Sequence, residues 1–422
     1  MDDLNLPEGW EVRKLGEVAN VIGGGTPSTK KSEYWNGDIP WITPKDLSNY
    51  SFKYICKGER NISREGLKNS SAKLLPPGTI LLSSRAPIGY VAIAKNELTT
   101  NQGFRSFITN EDKLNYEFLY YWLKTKKKVL ESLAGGSTFK EISGTTIKNL
   151  EILLPPLKEQ QKIAEILSSL DEKIELNIKM NKTLEEMAKA IFKRWFIDFE
   201  FPNEEGKPYK SSGGEFINSE LGEIPKGWKV ENLGSGKSTK ILSSGLKKFD
   251  GLKKYIATAN VVEGYITGFD KLITYDNKPS RANMQPKINT VWFAKMANSV
   301  KHLIFYEGNK HWINKYILST GFAGLECSSN LIYYIYEFIK YPSFWEIKDN
   351  LANGAVQVAV NNNSIKLIYI LIPPENILNN FNKIIKPIYN MIFKNIDEIQ
   401  TLTKIRDTLL PKLITGKIRV RV

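Results

Sequence analysis

The sequence predicts an α+β fold: two globular mixed α/β blocks separated by an antiparallel two-helix coiled coil, in a pseudo-twofold internal repeat. Separated anchors in the two halves match at one constant offset, 218 residues. A Pro-Pro breaker closes each globular block. A heptad pattern then follows each breaker. On this reading residues 1–156 form the first block and 157–200 the first helix. Residues 201–221 are a linker, 222–374 the second block, and 375–422 the second helix with a C-terminal tail.

The repeat is read from its anchors. Trp10 of LPEGWEVRKLGEV matches Trp228 of IPKGWKVENLGSG. Leu15-Gly16 matches Leu233-Gly234, Gly103-Phe104 matches Gly321-Phe322, and Ile147-Lys148 matches Ile365-Lys366. LLPP (Leu153–Pro156) matches LIPP (Leu371–Pro374), while YEFL at Tyr116 and YEFI at Tyr336 drift to an offset of 220. The frame is therefore shared and the interior loops differ. Within the blocks, TILLSS (Thr79–Ser84), YVAIA (Tyr90–Ala94) and TVWFA (Thr290–Ala294) carry the β-branched and aromatic runs of strands. Short helices are expected over Tyr116–Leu133 and Tyr341–Asn353. Trp10, Trp41 and Trp228 are expected as core or interface anchors.

After Pro155-Pro156, apolar positions alternate in steps of four and three through Ile163, Leu167, Leu170, Ile174, Asn177, Asn181, Leu184, Ala188, Ile191 and Trp195. The same offset carries this seam onto Phe381, Ile385, Ile388, Ile392, Asn395, Ile399, Leu402, Arg406, Leu409 and Leu413. Sustained heptads demand a partner helix for knobs-into-holes packing. The simplest solution pairs the two helices with each other, against the alternative that each packs only on its own block. Asn177 and Asn395 fall at equivalent seam positions, where a buried Asn fixes register. A helix of about 35 residues is roughly 50 Å long, so a pair of them would hold the two blocks apart at a set distance. Pro387 is expected to bend the second helix or delay its start. Phe201–Glu220, rich in Gly, Pro, Ser and charge, reads as a connection.

Lys and Arg number 59 against 45 Asp and Glu, a net charge of +14. Most of the excess sits in the blocks: 21 basic against 17 acidic residues over 1–156, and 19 against 11 over 222–374. Such a surface suits a polyanion. Cys56 and Cys327 are the only cysteines, which excludes a disulfide framework and fits a reducing cytoplasm. No apolar run reaches a membrane span, and the polar N-terminal decapeptide is unlike a secretory signal.

Several segments together carry a resemblance. They are LPEGW…LGEV, GDIPWITPKDL (Gly37–Leu47), TNQGF (Thr100–Phe104), LLPPLKEQQKIAEIL (Leu153–Leu167), RWFIDFEF (Arg194–Phe201) and SELGEIPKGW (Ser219–Trp228). Over essentially its whole length the chain resembles the specificity subunits of type I restriction–modification systems. The resemblance implies that each block is a target recognition domain reading one part of a bipartite double-stranded DNA target, and that the helices are spacers. It implies docking of two modification (methyltransferase) subunits, which use S-adenosylmethionine on adenine. It also implies restriction subunits that translocate and cleave with ATP and Mg²⁺. No cofactor, metal or membrane is expected for this chain itself. The second half departs from the pattern: PPENILNNFNK stands where the first half has PPLKEQQKIA, so a partner contact that needs the Gln pair is not expected there.

Catalytic motifs fail on inspection. GSGKST (Gly234–Thr239) lacks the leading glycine of a phosphate-binding loop, for Glu231 stands in its place. Asp198 with Glu205-Gly206-Lys207 lies in a Gly/Pro-rich segment rather than on strands that hold a metal. His302 and His311 do not share a helix face, and no Cys/His cluster has zinc spacing. LLPP and LIPP lack the amide or acid that holds a target amine in methyltransferases. The expectation is a non-catalytic subunit. Base and phosphate contacts are expected from loop residues of the first block: Thr26, Lys30, Lys31, Thr43, Lys45, Ser84, Arg85 and Lys140. In the second block the candidates are Lys247, Lys248, Lys278, Arg281, Lys295, Asn298, Lys301 and Gln357. Arg85 and Arg281 suit bidentate contact with guanine. The differing interiors predict two unlike half-sites and an asymmetric target. A competing reading is a scaffold that binds nucleic acid without sequence preference.

Overall fold

Each half opens and closes on the same antiparallel ladder. Glu11–Lys14 pairs with Glu151–Leu154, and Lys229–Asn232 pairs with Tyr369–Ile372. Both strands of the second ladder stand 218 residues beyond those of the first, so the repeat seen in the sequence is a repeat of main-chain hydrogen bonding. In this computed structural model the described residues are 6–48, 50–85, 87–136, 140–353 and 358–421. They divide into two units. One comprises residues 1–178 with 397–422, and the other residues 179–396.

In the first unit a sheet orders the strands Ala19–Gly23, Phe104–Thr109, Ile80–Ser83, Val91–Ala94 and Tyr54–Ile55. A smaller sheet joins Arg60–Ile62, Trp35–Ile42 and Thr99–Thr100. The helix Tyr116–Thr125 covers the larger sheet, capped by the Asn115 side chain, which accepts from Phe118 N. The second unit repeats the plan. Thr239–Ile241, Phe322–Cys327, Thr290–Ala294 and His302–Phe305 form one sheet, and four short strands around Tyr316–Ser319 form another. The helix Ile332–Lys340, which the sequence reading did not expect, precedes Pro342–Asn353, which it did. Trp10, Trp41 and Trp228 are buried as expected.

The long helices span Leu157–Phe192 and Glu375–Ile414. The second begins at Glu375 and continues through Pro387, so the expected delay does not occur. Pro387 is exposed on the helix surface, where losing one N–H donor is tolerated. Within the first unit the partners run in opposite chain directions: Arg406 donates to Asp171 at 2.7 Å, and Asn177 to Glu398 at 2.8 Å. Within the second, Asn395 donates to Asn181 at 2.8 Å, and Asn181 to the Ile392 carbonyl at 3.3 Å. Ile163, Leu167, Ile174, Asn177, Phe381, Ile385, Ile388, Ile392 and Asn395 are buried, and Leu170, Leu184, Ile191, Leu402 and Leu409 are half-buried. The seam is not reserved to the helices. Ile163 and Leu167 share one core with Phe118 and Tyr121 of the block as well as with Leu410 and Leu413. Phe381 and Ile385 likewise join the core of the second block. Helix pairing and helix-on-block packing therefore coexist.

The stretch read as a connection is closely packed in the second unit. Phe201 is buried, stacks on Tyr209 at 4.5 Å and lies 5.3 Å from the Trp228 ring, and Phe216–Ser219 forms a hairpin with Gly222–Pro225. Among the described residues no helix is long and apolar enough to cross a membrane.

Candidate nucleic-acid interface

The breaker and the residues after it fix each block to its helix. Gln160 is buried and makes three hydrogen bonds. Its amide donates to the carbonyls of Pro155 and Lys113 at 2.9 and 3.0 Å, and its oxygen accepts from Asn115 N at 2.9 Å. Glu159, also buried, accepts from Trp10 Nε1 at 3.1 Å and from Arg419 at 2.7 and 2.9 Å. The motif is thus an internal clamp. At the equivalent positions of the second half stand Ile377 and Leu378, both buried in the apolar core. Trading a satisfied polar network for an apolar one keeps the helix start packed.

Above this frame, two equivalent edges emerge. In the first unit Ser84 N donates to Gly103 O at 2.8 Å and Ile142 N to Ser84 O at 3.0 Å. In the second, Lys295 N donates to Gly321 O at 2.9 Å and Val360 N to Lys295 O at 3.0 Å. Isolated bridges follow in step, Arg85 with Glu141 and Met296 with Ala359. Beside each edge an acid or amide side chain closes a turn: Asp46 accepts from Thr43 N at 2.7 Å, and Asn260 from Ala257 N at 2.8 Å. The glycines allow this close approach. A Cβ on Gly103 would come within 2.9 Å of Pro44 Cγ, and one on Gly321 within 3.0 Å of Thr258 Cγ2.

The first edge borders an open depression of about 510 Å³ whose lining includes Thr43, Lys45, Arg85, Asn101 and Gln102. Thr26 reaches the same place by a hydrogen bond to Gln102. Three of the expected contacts, Thr43, Lys45 and Arg85, are brought together there. Glu141 bridges two guanidiniums, accepting from Arg85 Nε at 2.9 Å and Arg105 Nη2 at 3.0 Å. Lys140 is exposed next to it. Lys45 pairs with Glu59 at 2.8 Å, and Thr43 Oγ1 is spent on Asp46 at 2.6 Å. Ser84 corrects the sequence reading: it is fully buried and its hydroxyl donates to Gly103 O at 3.2 Å, so it builds the edge and cannot meet a base. Lys30 and Lys31 are exposed, Lys31 donating to Tyr34 Oη at 3.0 Å.

At the second edge, Arg281 Nη2 would lie 3.4 Å from a Cβ on Gly321. Burial, and after it the Arg281 guanidinium, hold the Lys295 ammonium below its ordinary value. Lys301 is a further correction: it is half-buried and its ammonium donates to Thr258 O at 2.7 Å. Asn298 is exposed with φ 55°, and Lys278 is half-buried. Gln357 lies outside the described residues. Lys247 and Lys248 line a different cleft of about 960 Å³ with Lys240, Lys253, Lys287 and Lys310. Those four lysines were missed because strands and turns far apart in sequence bring them together.

The catalytic motifs stay unsupported by geometry. GSGKST forms a tight turn in which Gly236 N donates to Thr239 O at 2.8 Å, and Thr239 opens a strand instead of a helix. Asp198 is held by Lys193 at 2.7 Å. His302 is buried against Tyr336 Oη at 2.9 Å. No group of three metal-ligating side chains occurs among the described residues.

A twice-built α/β block with a long helix after each copy defines the class of protein. A family model described as the type I restriction modification DNA specificity domain matches residues 7–186. The type I restriction enzyme MjaIX specificity subunit of Methanocaldococcus jannaschii is 40% identical, over 98% of this chain and 95% of that one. The HindI specificity subunit of Haemophilus influenzae is 25% identical over 97% of this chain and 99% of that one. A crystal structure of a type I restriction–modification S subunit from M. genitalium shares the fold, with a TM-score of 0.61 and 18% identity over 98% of this chain and 97% of that one. The chain belongs to the type I restriction enzyme specificity subunits.

Proposed function

We propose that this chain is the DNA-reading, non-catalytic subunit of a type I restriction–modification complex. Its blocks, residues 1–156 and 222–374, act as target recognition domains for two unlike half-sites. The long helices act as an antiparallel coiled-coil spacer that sets the gap between the half-sites. Two modification subunits, using S-adenosylmethionine, methylate adenine at the site so chosen. Restriction subunits, using ATP and Mg²⁺, cleave DNA in which it is unmodified. The observation that carries this reading is the repeated edge. One main-chain frame presents Arg85 and Glu141 in the first block and Met296 and Ala359 in the second. A duplicated frame with dissimilar exposed side chains is what a bipartite asymmetric target requires. The net charge of +14 supplies the sequence-independent attraction to phosphates.

Footprinting the chain together with its modification subunit on a random DNA library tests the proposal. Enrichment of two different short words at a fixed gap is the expected result. Uniform protection without an enriched motif would show a nonspecific scaffold instead.

A further inference from the structure

We infer that the first block's edge, Arg85 with Lys140 and Glu141, reads the hydrogen-bonding edge of a guanine, while the equivalent second edge, Met296 with Val358 and Ala359, reads the methyl group of a thymine. The inference rests on the DNA-reading function proposed above and assigns base classes to it.

The correspondence of positions comes from hydrogen bonding. Ser84 and Lys295 each lie between a glycine carbonyl and an amide of the following segment, so Arg85 falls opposite Glu141 as Met296 falls opposite Ala359. Lys140 and Val358 precede those partners. The same three places are thus charged in one copy and apolar in the other. Arg105 and Ala323 continue the contrast on the equivalent strands.

In the first copy, Glu141 fixes the Arg85 guanidinium through Nε and is itself held by Arg105. The two Nη groups of Arg85 take no part in that bond. A planar guanidinium held by a carboxylate, with its Nη face presented on an exposed edge, matches the paired O6 and N7 acceptors of guanine. In the second copy Met296 and Val358 are 56% and 59% exposed. Two apolar side chains on neighbouring segments, where Ala297 N donates to Val358 O at 3.2 Å, are far too small a patch for a stable protein interface, which buries about 800 Å² per partner. They do fit a single methyl group in the major groove. The patch is rigid. Lys348, itself fully buried, donates to the main-chain oxygen of Met296 at 2.6 Å and reaches that of Ser299 at 3.5 Å. The exposed Arg281 and half-buried Lys295 beside it supply cations for the flanking phosphates.

Methylation sequencing of the full chain with its modification subunit provides the test, with Arg85→Met, Arg85→Lys and the double variant Met296→Ser/Val358→Ser. The wild-type complex should yield two words. Arg85→Met should relax one G·C position of a single word by about tenfold or more and leave the other word intact. Arg85→Lys, which keeps the charge and loses the planar fork, should relax the same position. The double variant should relax one A·T position of the other word alone. Replacing that thymine by deoxyuridine should weaken wild-type binding about threefold to tenfold and leave the double variant unaffected. Unchanged preference at every position in the Arg85 variants, or indifference of the wild type to deoxyuridine, would overturn the assignment. So would loss of assembly with the modification subunit on changing Met296 and Val358 while the motif stays intact, since that would make the patch a protein contact. A wild-type complex that enriches no pair of words would refute the function proposed above.

Discussion

Asn395 donates its side-chain amide to the side-chain oxygen of Asn181 across 2.8 Å, with both residues buried between the long helices in the second unit. Asn181 in turn donates to the Ile392 carbonyl. The sequence equates Asn395 with Asn177, yet Asn395 meets Asn181 and Asn177 meets Glu398. Replacing Asn181 alone by Leu strands a buried amide and should cost about 1–3 kcal/mol. Replacing both residues by Leu should cost much less than the sum of the single changes, because no polar group is then left unpaired. Denaturant unfolding of the two single variants and the double variant measures this coupling. Strict additivity would mean that the pair is not formed.

Gln160 carries a second prediction. Its side chain satisfies the carbonyls of Pro155 and Lys113 and the amide of Asn115, which caps the helix beginning at Tyr116. Gln160→Ala should destabilise the first unit by about 2–3 kcal/mol through unpaired main-chain groups. In the second half, Leu378→Ala at the equivalent place should cost a similar amount, about 2–5 kcal/mol, by leaving a cavity. Hydrogen exchange at the amides of Asn115 and Phe118 separates the mechanisms. It should quicken in the Gln160 variant and stay unchanged in the Leu378 variant.

The pH dependence of the second unit should carry the signature of His302. Burial first, and the Lys340 ammonium second, hold its imidazole well below the ordinary value, so the folded state keeps it neutral. In the unfolded chain it titrates near about 6.5. A depressed base leaves stability unaffected above that value. As the pH falls below about 6.5, the unfolded state takes up a proton that the fold refuses, and stability drops by up to about 1.4 kcal/mol per pH unit. Comparing His302→Gln with the wild type between pH 7 and 5 isolates this contribution, because the variant should lose one proton's worth of slope. Equal slopes would show that the imidazole is already charged in the fold.

The repeat and both long helices were legible because each rests on a local period or on anchors at one offset, whereas the ladder strands beside those anchors were not recognised as strands. Thr290–Ala294 is a strand with the bounds its composition suggests. The candidate edges were only half legible. Arg85 was readable as an exposed arginine among turn residues, but its pairing with Glu141 joins residues 56 positions apart. Met296 offered no signal at all, since an apolar residue reads as core until the frame shows it 56% exposed. Ser84 misled for the converse reason: a serine beside an arginine in a turn looks accessible, yet the edge needs it inside. Buried charge was also hidden. Lys53, fully enclosed and bound to Glu117 at 2.8 Å, and Asp171, bound to Tyr121 and Arg406, look like ordinary surface residues in a sequence. Only tertiary contact distinguishes them.

The spacer claim can be tested most directly by deleting one heptad from each long helix, at positions facing each other in the seam, and sequencing the methylated motif. Seven residues shorten a helix by about 10 Å, close to three base pairs of duplex at about 3.4 Å each. Both words should survive, and the gap between them should shrink by about three base pairs. A complex that keeps the original gap would contradict the spacer claim.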